Sequence, residues 1–214
     1  MHWNLLDGPS ALIVLGGTAI ATLLRCGRHD TAMTVQALLG LVRPPFDGGR
    51  VRAELAIQVR EIQQRGVLRA SPHHSGDAEF DEAADLIIGK RSVAGLVATH
   101  ERHQKRRYHR SHTAVRTLAT AAELAPVFGM VGTLVSLSTL PTDGLAVGAL
   151  TGAISMAVLS TLYGLLAANL LLGPLGRMID RAAAAEEAER QIVLDWLTGQ
   201  LFAAPSDERA KAVA

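Results

Sequence analysis

The chain has 214 residues, a formal charge of only +1, 49% hydrophobic and 19% charged residues, and a mean hydropathy of +0.22. Near-neutrality removes any global charge argument for nucleic-acid binding, and a single cysteine, Cys26, excludes an intrachain disulfide framework or a CxxC site. The balance suits a protein that is part membrane and part aqueous.

Distribution says more than totals. Of 21 Lys and Arg residues, 16 lie between Arg25 and Arg116 and five from Arg177 onward, with none in 1–24 or 117–176. A spanning helix needs roughly 20 apolar residues, because the hydrocarbon core is about 30 Å thick. Gly8–Leu24 reads as a first crossing. A cleaved leader is the less expected reading, since Met1–Asp7 lacks a basic start and no cleavage pattern follows. From Leu124 to Gly176 there is one charge in 53 residues, Asp143 in the turn Pro141–Gly144. This stretch predicts a helical hairpin crossing at Leu124–Leu140 and again near Leu150–Leu172. The positive-inside rule then places residues 25–116 and 177–214 in the cytoplasm, and residues 1–7 and the turn at 141–144 outside. The predicted fold class is an all-α membrane protein with three transmembrane helices, the N-terminus outside and the C-terminus cytoplasmic, and a helical cytoplasmic region. The hairpin domain occupies 117–176.

In the aqueous parts, Asp30 is placed to cap a short helix through Val42, ended by Pro44 and Pro45. Val51, Leu55, Val59 and Ile62 recur at helical spacing. Ser71–Asp77 reads as a loop. Phe80, Ala84, Ile87 and Ile88 mark another amphipathic helix, with Asp81, Glu82 and Asp85 near its start, where the helix dipole favours acids. Past Arg177, the residues Ile179, Ala182, Ile192, Trp196 and Leu201 predict that the last crossing continues as an amphipathic helix, frayed from Ala203. No strand pattern of useful length and no internal repeat is present.

Four histidines, His100, His103, His109 and His112, invite a metal reading. At 100° per residue the first two face nearly opposite the last two, and no carboxylates converge on them, so no metal site is expected. The run Lys105–Arg110 is basic enough for anionic lipid or nucleic acid, but its position before a crossing explains it as a topology determinant. Gly89-Lys90-Arg91-Ser92 fails as a phosphate loop, because Arg91 stands where Ser or Thr is needed. No nucleophile elbow or carboxylate pair is visible. The chain reads as no enzyme, with no cofactor and no nucleic-acid partner.

Inside the hairpin, Gly129, Gly132, Thr133 and Ser136 follow i, i+3, i+4, i+7 spacing. Ala153, Ala157, Ser160, Thr161, Gly164 and Ala168 form a similar stripe in the next crossing. Small residues let backbones approach closely. The two stripes either pack against each other, with hydroxyls bonding back to their own helices, or line a polar path. Ionisable groups inside membranes usually mark ion routes. The hairpin interior has none, so a proton path here needs a carboxylate from another polypeptide.

Three blocks resemble the MotA/TolQ/ExbB proton-channel family, nearest to its flagellar stator A subunits. They are DGPSALIVLGGTAIATLL (Asp7–Leu24), APVFGMVGTLVSL (Ala125–Leu137) with its Pro-x-x-Gly-x-x-Gly-Thr core, and STLYGLLAANLLLGPL (Ser160–Leu175) with Thr-x-Tyr-Gly, Ala-Asn and a closing Pro. The resemblance implies a bacterial inner-membrane subunit that assembles as a pentamer around two copies of a MotB-like, single-span partner carrying a membrane aspartate. It implies that Thr133 and Thr161, with Ser160, Ser136 and Gly132, face that partner along the proton path. Pro126 and Pro174 would couple proton passage to movement, while Tyr163 and Asn169 match the motif in structural roles. A flagellar rotor protein is the further partner implied. The family's Arg–Gly and Glu positions are displaced here, with Gly66 after Arg65 and Ser71 near the Glu position, so Arg60, Glu61, Arg65 and Arg69 are the candidate rotor contacts. The chain also begins where the second helix of stator A subunits begins, and three crossings with an outer N-terminus is the TolQ/ExbB arrangement. The function expected is a proton-channel subunit turning proton flow into rotation. The alternatives are a TolQ/ExbB-like energiser of an envelope-spanning system and, from another class, a non-conducting membrane scaffold.

Overall fold

The computed structural model describes residues 8–65, 76–82, 93–140 and 147–203. Among them every regular element is helical: α1 (Gly8–Gly40), α2 (Gly48–Arg65), α3 (Val93–Ser138), α4 (Val147–Leu166) and α5 (Gly173–Ala203), with a single turn at 78–82. A π-helical segment, Ala167–Leu172, joins α4 to α5 without a break in the helix. Three helices are long and apolar enough to cross a membrane: Gly8–Gly40, Gly95–Ser138 and Val147–Gln200. The chain is an all-α, multi-pass membrane protein.

Two of these helices far exceed a bilayer. α3 has 46 residues, about 69 Å at 1.5 Å per residue, against a hydrocarbon core of about 30 Å. Only its charge-poor C-terminal half suits lipid; the half carrying Lys105–Arg110 belongs in water. The chain divides accordingly into two compact units, Met1–Arg43 with Arg110–Arg181, and Pro44–His109 with Ala182–Ala214.

In the first unit, α1 is π-helical over Leu12–Gly16, and beyond it Thr18 and Thr22 donate to the carbonyls of Val14 and Thr18 at 2.6 and 2.7 Å. Gly27 interrupts the helix with φ 84° and ψ 166°, a conformation that only glycine adopts without strain. The helix restarts there, and not at Asp30, so Asp30 caps nothing. Its carboxylate instead accepts from Arg116 at 3.1 Å. The helix ends at Gly40, two residues before the expected Val42. Ala37, Leu38 and Leu41 pack on Ala114, Leu118 and Ile179, which are buried.

Pro174 explains the π-helical segment. Its ring would strike the carbonyl four residues back, and it donates no hydrogen bond. Widening the turn relieves the clash: Gly173 N–H bonds the carbonyl of Ala168, five residues earlier.

The second unit has an apolar core of Val51, Leu55, Val59, Phe80, Leu96, Val193, Leu194 and Leu197, with Phe46 and Trp196 against it. The expected periodicity of α2 is present in Val51, Leu55 and Val59. The expected face of α5 is present at Ile179, which is buried, and at Trp196, which packs on the core, but not at Ala182 and Ile192, which are exposed. Arg190 sets the phase. It is 8% exposed, and a buried guanidinium must be paired. It donates to Asp77 at 2.8 and 3.1 Å, to Glu79 at 3.0 Å and to Glu186 at 2.9 Å. The same group lies 4.1 Å over the Phe46 ring, which stacks with Phe80. Asp77 also caps the turn at 78–82 by accepting from Glu79 N–H at 3.1 Å. Glu79 is completed by Arg107 and His100. Burial pushes the Asp77 carboxyl up, but the Arg190 hydrogen bonds and charge, with the Glu79 and Phe80 amides, outweigh it and hold it below the usual value.

Ile62, Ala84, Ile87, Ile88, Leu201, the turn at 141–144 and the tail beyond Ala203 lie outside the residues whose side chains are described.

Replacing Arg190 with Met should lower the unfolding free energy by about 3–5 kcal/mol, because it strips a buried partner from Glu79 and Asp77. The Asp77 carboxyl is held down in the fold, so its stabilisation is complete above the ordinary carboxylate range and is lost as pH falls below it. Asp77→Asn should therefore flatten the acid limb of thermal unfolding followed by circular dichroism in detergent as the pH is lowered from about 5 to about 2. An unchanged acid limb would remove Asp77 from the account.

Candidate functional site

The membrane hairpin is built on backbone contact. A Cβ at Gly164 would lie 2.7 Å from the Ala125 carbonyl oxygen and 3.2 Å from the Cα atoms of Gly129 and Pro126. One at Gly132 would lie 2.6 Å from Ser160 Cβ, and one at Gly129 3.3 Å from Thr161 Cα. No side chain larger than hydrogen fits at these crossings unless α3 and α4 separate. α1 joins the pair: a Cβ at Gly17 would collide with the Phe128 ring, and one at Gly132 would touch Ile13 at 3.8 Å. Ala125, Ala167 and Ala168 are buried beneath.

The polar residues of the two stripes separate into two groups. Ser136 and Ser160 are buried to 0% and 1% exposure, and Gly132 is buried too. Ser136 donates across the seam to the Ala153 carbonyl at 2.5 Å, tying α3 to α4; Ser160 donates to Ala157 at 2.9 Å. These three residues lie in the seam of one subunit. Thr133 and Thr161 are only half-buried. Thr133 donates to Met130 at 2.6 Å and Thr161 to Ala157 at 3.3 Å. Each hydroxyl proton is thus held by its own backbone, which leaves the oxygen lone pairs as acceptors. Thr161 packs beside Gly129, one turn before Thr133, so the two hydroxyls border the same seam. Around them the exposed surface is apolar, with Met130, Leu134, Leu137, Leu162 and Leu165 all at least 39% exposed. A pair of acceptors in such a setting can receive a hydrogen bond from water, hydronium or a protonated carboxyl, and can do no acid–base chemistry alone.

Pro126 sits inside α3, where it removes the bond to Ala122. It does so beside Gly164, at a close backbone crossing of the hairpin. Pro174 sits just past the π-helical segment. Asn169 donates to Leu165 at 3.0 Å from an exposed position, and Tyr163 is half-buried. Arg60 is exposed near the end of α2. The side chains of Glu61 and Arg65, and Arg69 entirely, lie outside the described residues.

Of the four histidines, His100 and His103 bind Glu79 and Glu82 separately, at 2.5 and 2.9 Å, while His109 and His112 are exposed. Among the described residues no three His, Cys, Asp or Glu side chains converge to hold a metal. The charged cluster around Arg190 went unforeseen in the sequence. Its only signal was arithmetic: Glu79 and Glu82 repeat the three-residue spacing of His100 and His103.

Gly164→Ala should cost on the order of 1–3 kcal/mol, as over-packing does, read as a lower thermal midpoint of the isolated chain in detergent. Gly148 and Gly152 have nothing within 4 Å of an added Cβ. Their Ala variants should be neutral or stabilising by up to about 1 kcal/mol. Equal effects at all three positions would contradict the packing described.

Comparison with known proteins agrees with this geometry. The chain is 26% identical over 197 residues to Motility protein A of Cereibacter sphaeroides, covering 90% of this chain and 77% of that protein. Its fold matches that of a chain in the flagellar MotAB stator complex from Bacillus subtilis, with a TM-score of 0.80 and 16% identity over 99% of this chain and 90% of that one. It also matches C. jejuni MotAB, with a TM-score of 0.79 and 16% identity over 96% and 82%. The model of the MotA/TolQ/ExbB proton channel family matches residues 76–192, which contain both helices of the hairpin and most of the Arg190 cluster. With that match spanning more than half its length, the chain belongs to the MotA/TolQ/ExbB proton channel family.

Proposed function

We propose that this chain is the proton-channel subunit of a flagellar stator-type motor in the bacterial inner membrane, coupling proton flow to rotation. The observation that carries this reading is the half-exposed pair Thr133 and Thr161, set in an apolar surface on either side of a seam closed by Gly129 and Gly132. A wall with hydroxyl acceptors and no acid suits a partner that brings the acid. In this reading the partner is a single-span, MotB-like chain with a membrane aspartate, surrounded by a ring of A-type copies, five by analogy with the family. The second unit faces the cytoplasm and α1 enters from outside, as the basic segment requires.

A proton arriving at the partner's aspartate neutralises it. The neutral carboxyl becomes a donor, which Thr133 and Thr161 can accept; the ionised carboxylate is an acceptor and finds no donor in them. The fit of the partner against the wall therefore depends on its protonation. Pro126 and Pro174 supply the bendable points through which that change moves the hairpin. Gly132, Ser136 and Ser160 keep the two helices in register behind the wall. Arg60, Glu61, Arg65 and Arg69 are proposed as rotor contacts.

Thr161→Val removes the hydroxyl and keeps the shape. In proteoliposomes containing the chain and its partner, it should cut proton flux by about tenfold or more, the effect of losing one hydrogen bond of about 1.4 kcal/mol, with assembly intact on a native gel. Pro126→Ala should preserve assembly and abolish swimming. Wild-type flux in Thr161→Val together with wild-type swimming in Pro126→Ala would overturn the reading.

A further inference from the structure

His100 lies in the second unit, and nothing in the mechanism above uses it. Its side chain is 5% exposed. Its Nδ1 stands 2.5 Å from Glu79 Oε1, and its Nε2 stands 3.5 Å from Glu187 Oε1. Yet Nε2 has no hydrogen-bond partner. Both ring nitrogens thus face carboxylates, and only one of them is bonded.

The surroundings carry excess negative charge. From the turn at 78–82 and its cap come Glu79 and Asp77; from α5 come Glu186, Glu187 and Arg190; from α3 itself comes Arg107, which binds Glu187 at 3.0 Å and also Glu79. Four carboxylates meet two guanidiniums there. His103, one turn further along α3, is engaged by Glu82 together with Arg102. α2 presents Val51, Leu55 and Val59 to the adjoining core, and its Glu54 pairs with Arg50.

We propose that His100 is a proton-operated latch of this unit, closed when the imidazole is protonated and bridges Glu79 to Glu187, and loosened when it is neutral. A neutral ring has one N–H. Given to Glu79, it leaves the Nε2 lone pair buried and facing the Glu187 carboxylate, which costs free energy. A protonated ring has two N–H groups, one for each carboxylate, and reduces the local charge excess. Glu79 lies in the turn at 78–82, His100 on α3 and Glu187 on α5, so the bridge ties three elements through one side chain. Only a protonated ring has the second N–H that the bridge to Glu187 needs, so added protons close the latch and their withdrawal loosens it.

The inference rests on the reading that this unit faces the cytoplasm, where the latch would sense the pH on the side that receives the protons. Its test does not depend on conduction. Hydrogen–deuterium exchange of the full chain in nanodiscs, corrected for the intrinsic pH dependence of exchange, should show the backbone at 77–82 and 93–103 opening about tenfold more often at pH 8 than at pH 6, the scale of one charged hydrogen bond. His100→Gln cannot take up the proton, and its opening should be equal at both pH values. His103→Gln, altered on the more exposed pair with Glu82, should keep the wild-type difference. Ring nitrogen chemical shifts of His100 in the wild type, which need no variant to fold, should report two N–H groups at pH 6 and one at pH 8. Opening that is independent of pH in the wild type, a full pH effect in His100→Gln, or a neutral ring at pH 6 would each overturn the latch. Proton flux failing in the proteoliposome assay while this pH effect persists would instead overturn the channel reading alone.

Discussion

Backbone contact between α3 and α4 at Gly129, Gly132 and Gly164 is the constraint from which the membrane half of this protein follows. In lipid, helices gain nothing by hiding apolar surface from one another, so association depends on close packing and on the few hydrogen bonds that packing permits. With no Cβ at the crossings, the helices come near enough for Ser136 to reach the Ala153 carbonyl and for Ser160 to fill the space over Gly132. The same approach places the two threonines beside the seam and leaves them half-exposed. A single methyl at Gly164 would strike the Ala125 carbonyl next to Pro126. Tight packing and a polar wall are therefore not competing accounts of the stripes. Packing uses one edge of each stripe and sets the position of the other.

The second unit is held by the opposite device. Its core is small, and three of its members, Val193, Leu194 and Leu197, lie on α5 next to Arg190. A guanidinium that is 8% exposed beneath two aromatic rings would be costly alone. Asp77, Glu79 and Glu186 make it tolerable, and in doing so they specify which face of α5 turns inward. Hydrophobic residues alone permit a different face, with Ile192 inside. Buried charge here acts as a register device, with each residue of the cluster fixing the rotation of its own helix.

That contrast explains what the sequence disclosed. Crossings were legible from charge depletion, because an ion in hydrocarbon is penalised whatever the fold. The stripes at Gly129–Ser136 and Ala153–Ala168 were legible because local spacing puts residues on one face. What spacing leaves undetermined is which partner a face meets. Ser136 and Thr133 are three residues apart and look equivalent in the sequence; one is sealed against Ala153 and the other is open. The helix restart at Gly27 was missed because Asp30 offers a familiar capping residue, while a glycine with positive φ leaves no mark beyond its identity. The Arg190 cluster was missed for a deeper reason. Arg190 and Asp77 are 113 positions apart, and no periodicity within one helix reports a pair between elements. The π-helical turn before Pro174 is not dictated by proline alone, since Pro126 sits inside α3 in unwidened α-helix.

These two devices suit different tasks. Where a surface must respond to a proton carried by another chain, acidic or basic groups of its own would compete for that proton, and no Asp, Glu, Lys, Arg or His lies in 124–140 or 150–172 to do so. Hydroxyls whose protons are committed to Met130 and Ala157 offer only acceptors, so they distinguish a protonated carboxyl from an ionised one without changing state themselves. In the second unit, groups that do titrate are gathered and enclosed. In the reading proposed above, a passive wall and an ionisable cluster would let protons act through different chemistry in the two units, altering how a partner fits at Thr133 and Thr161 and how firmly the chain holds its own helices at His100.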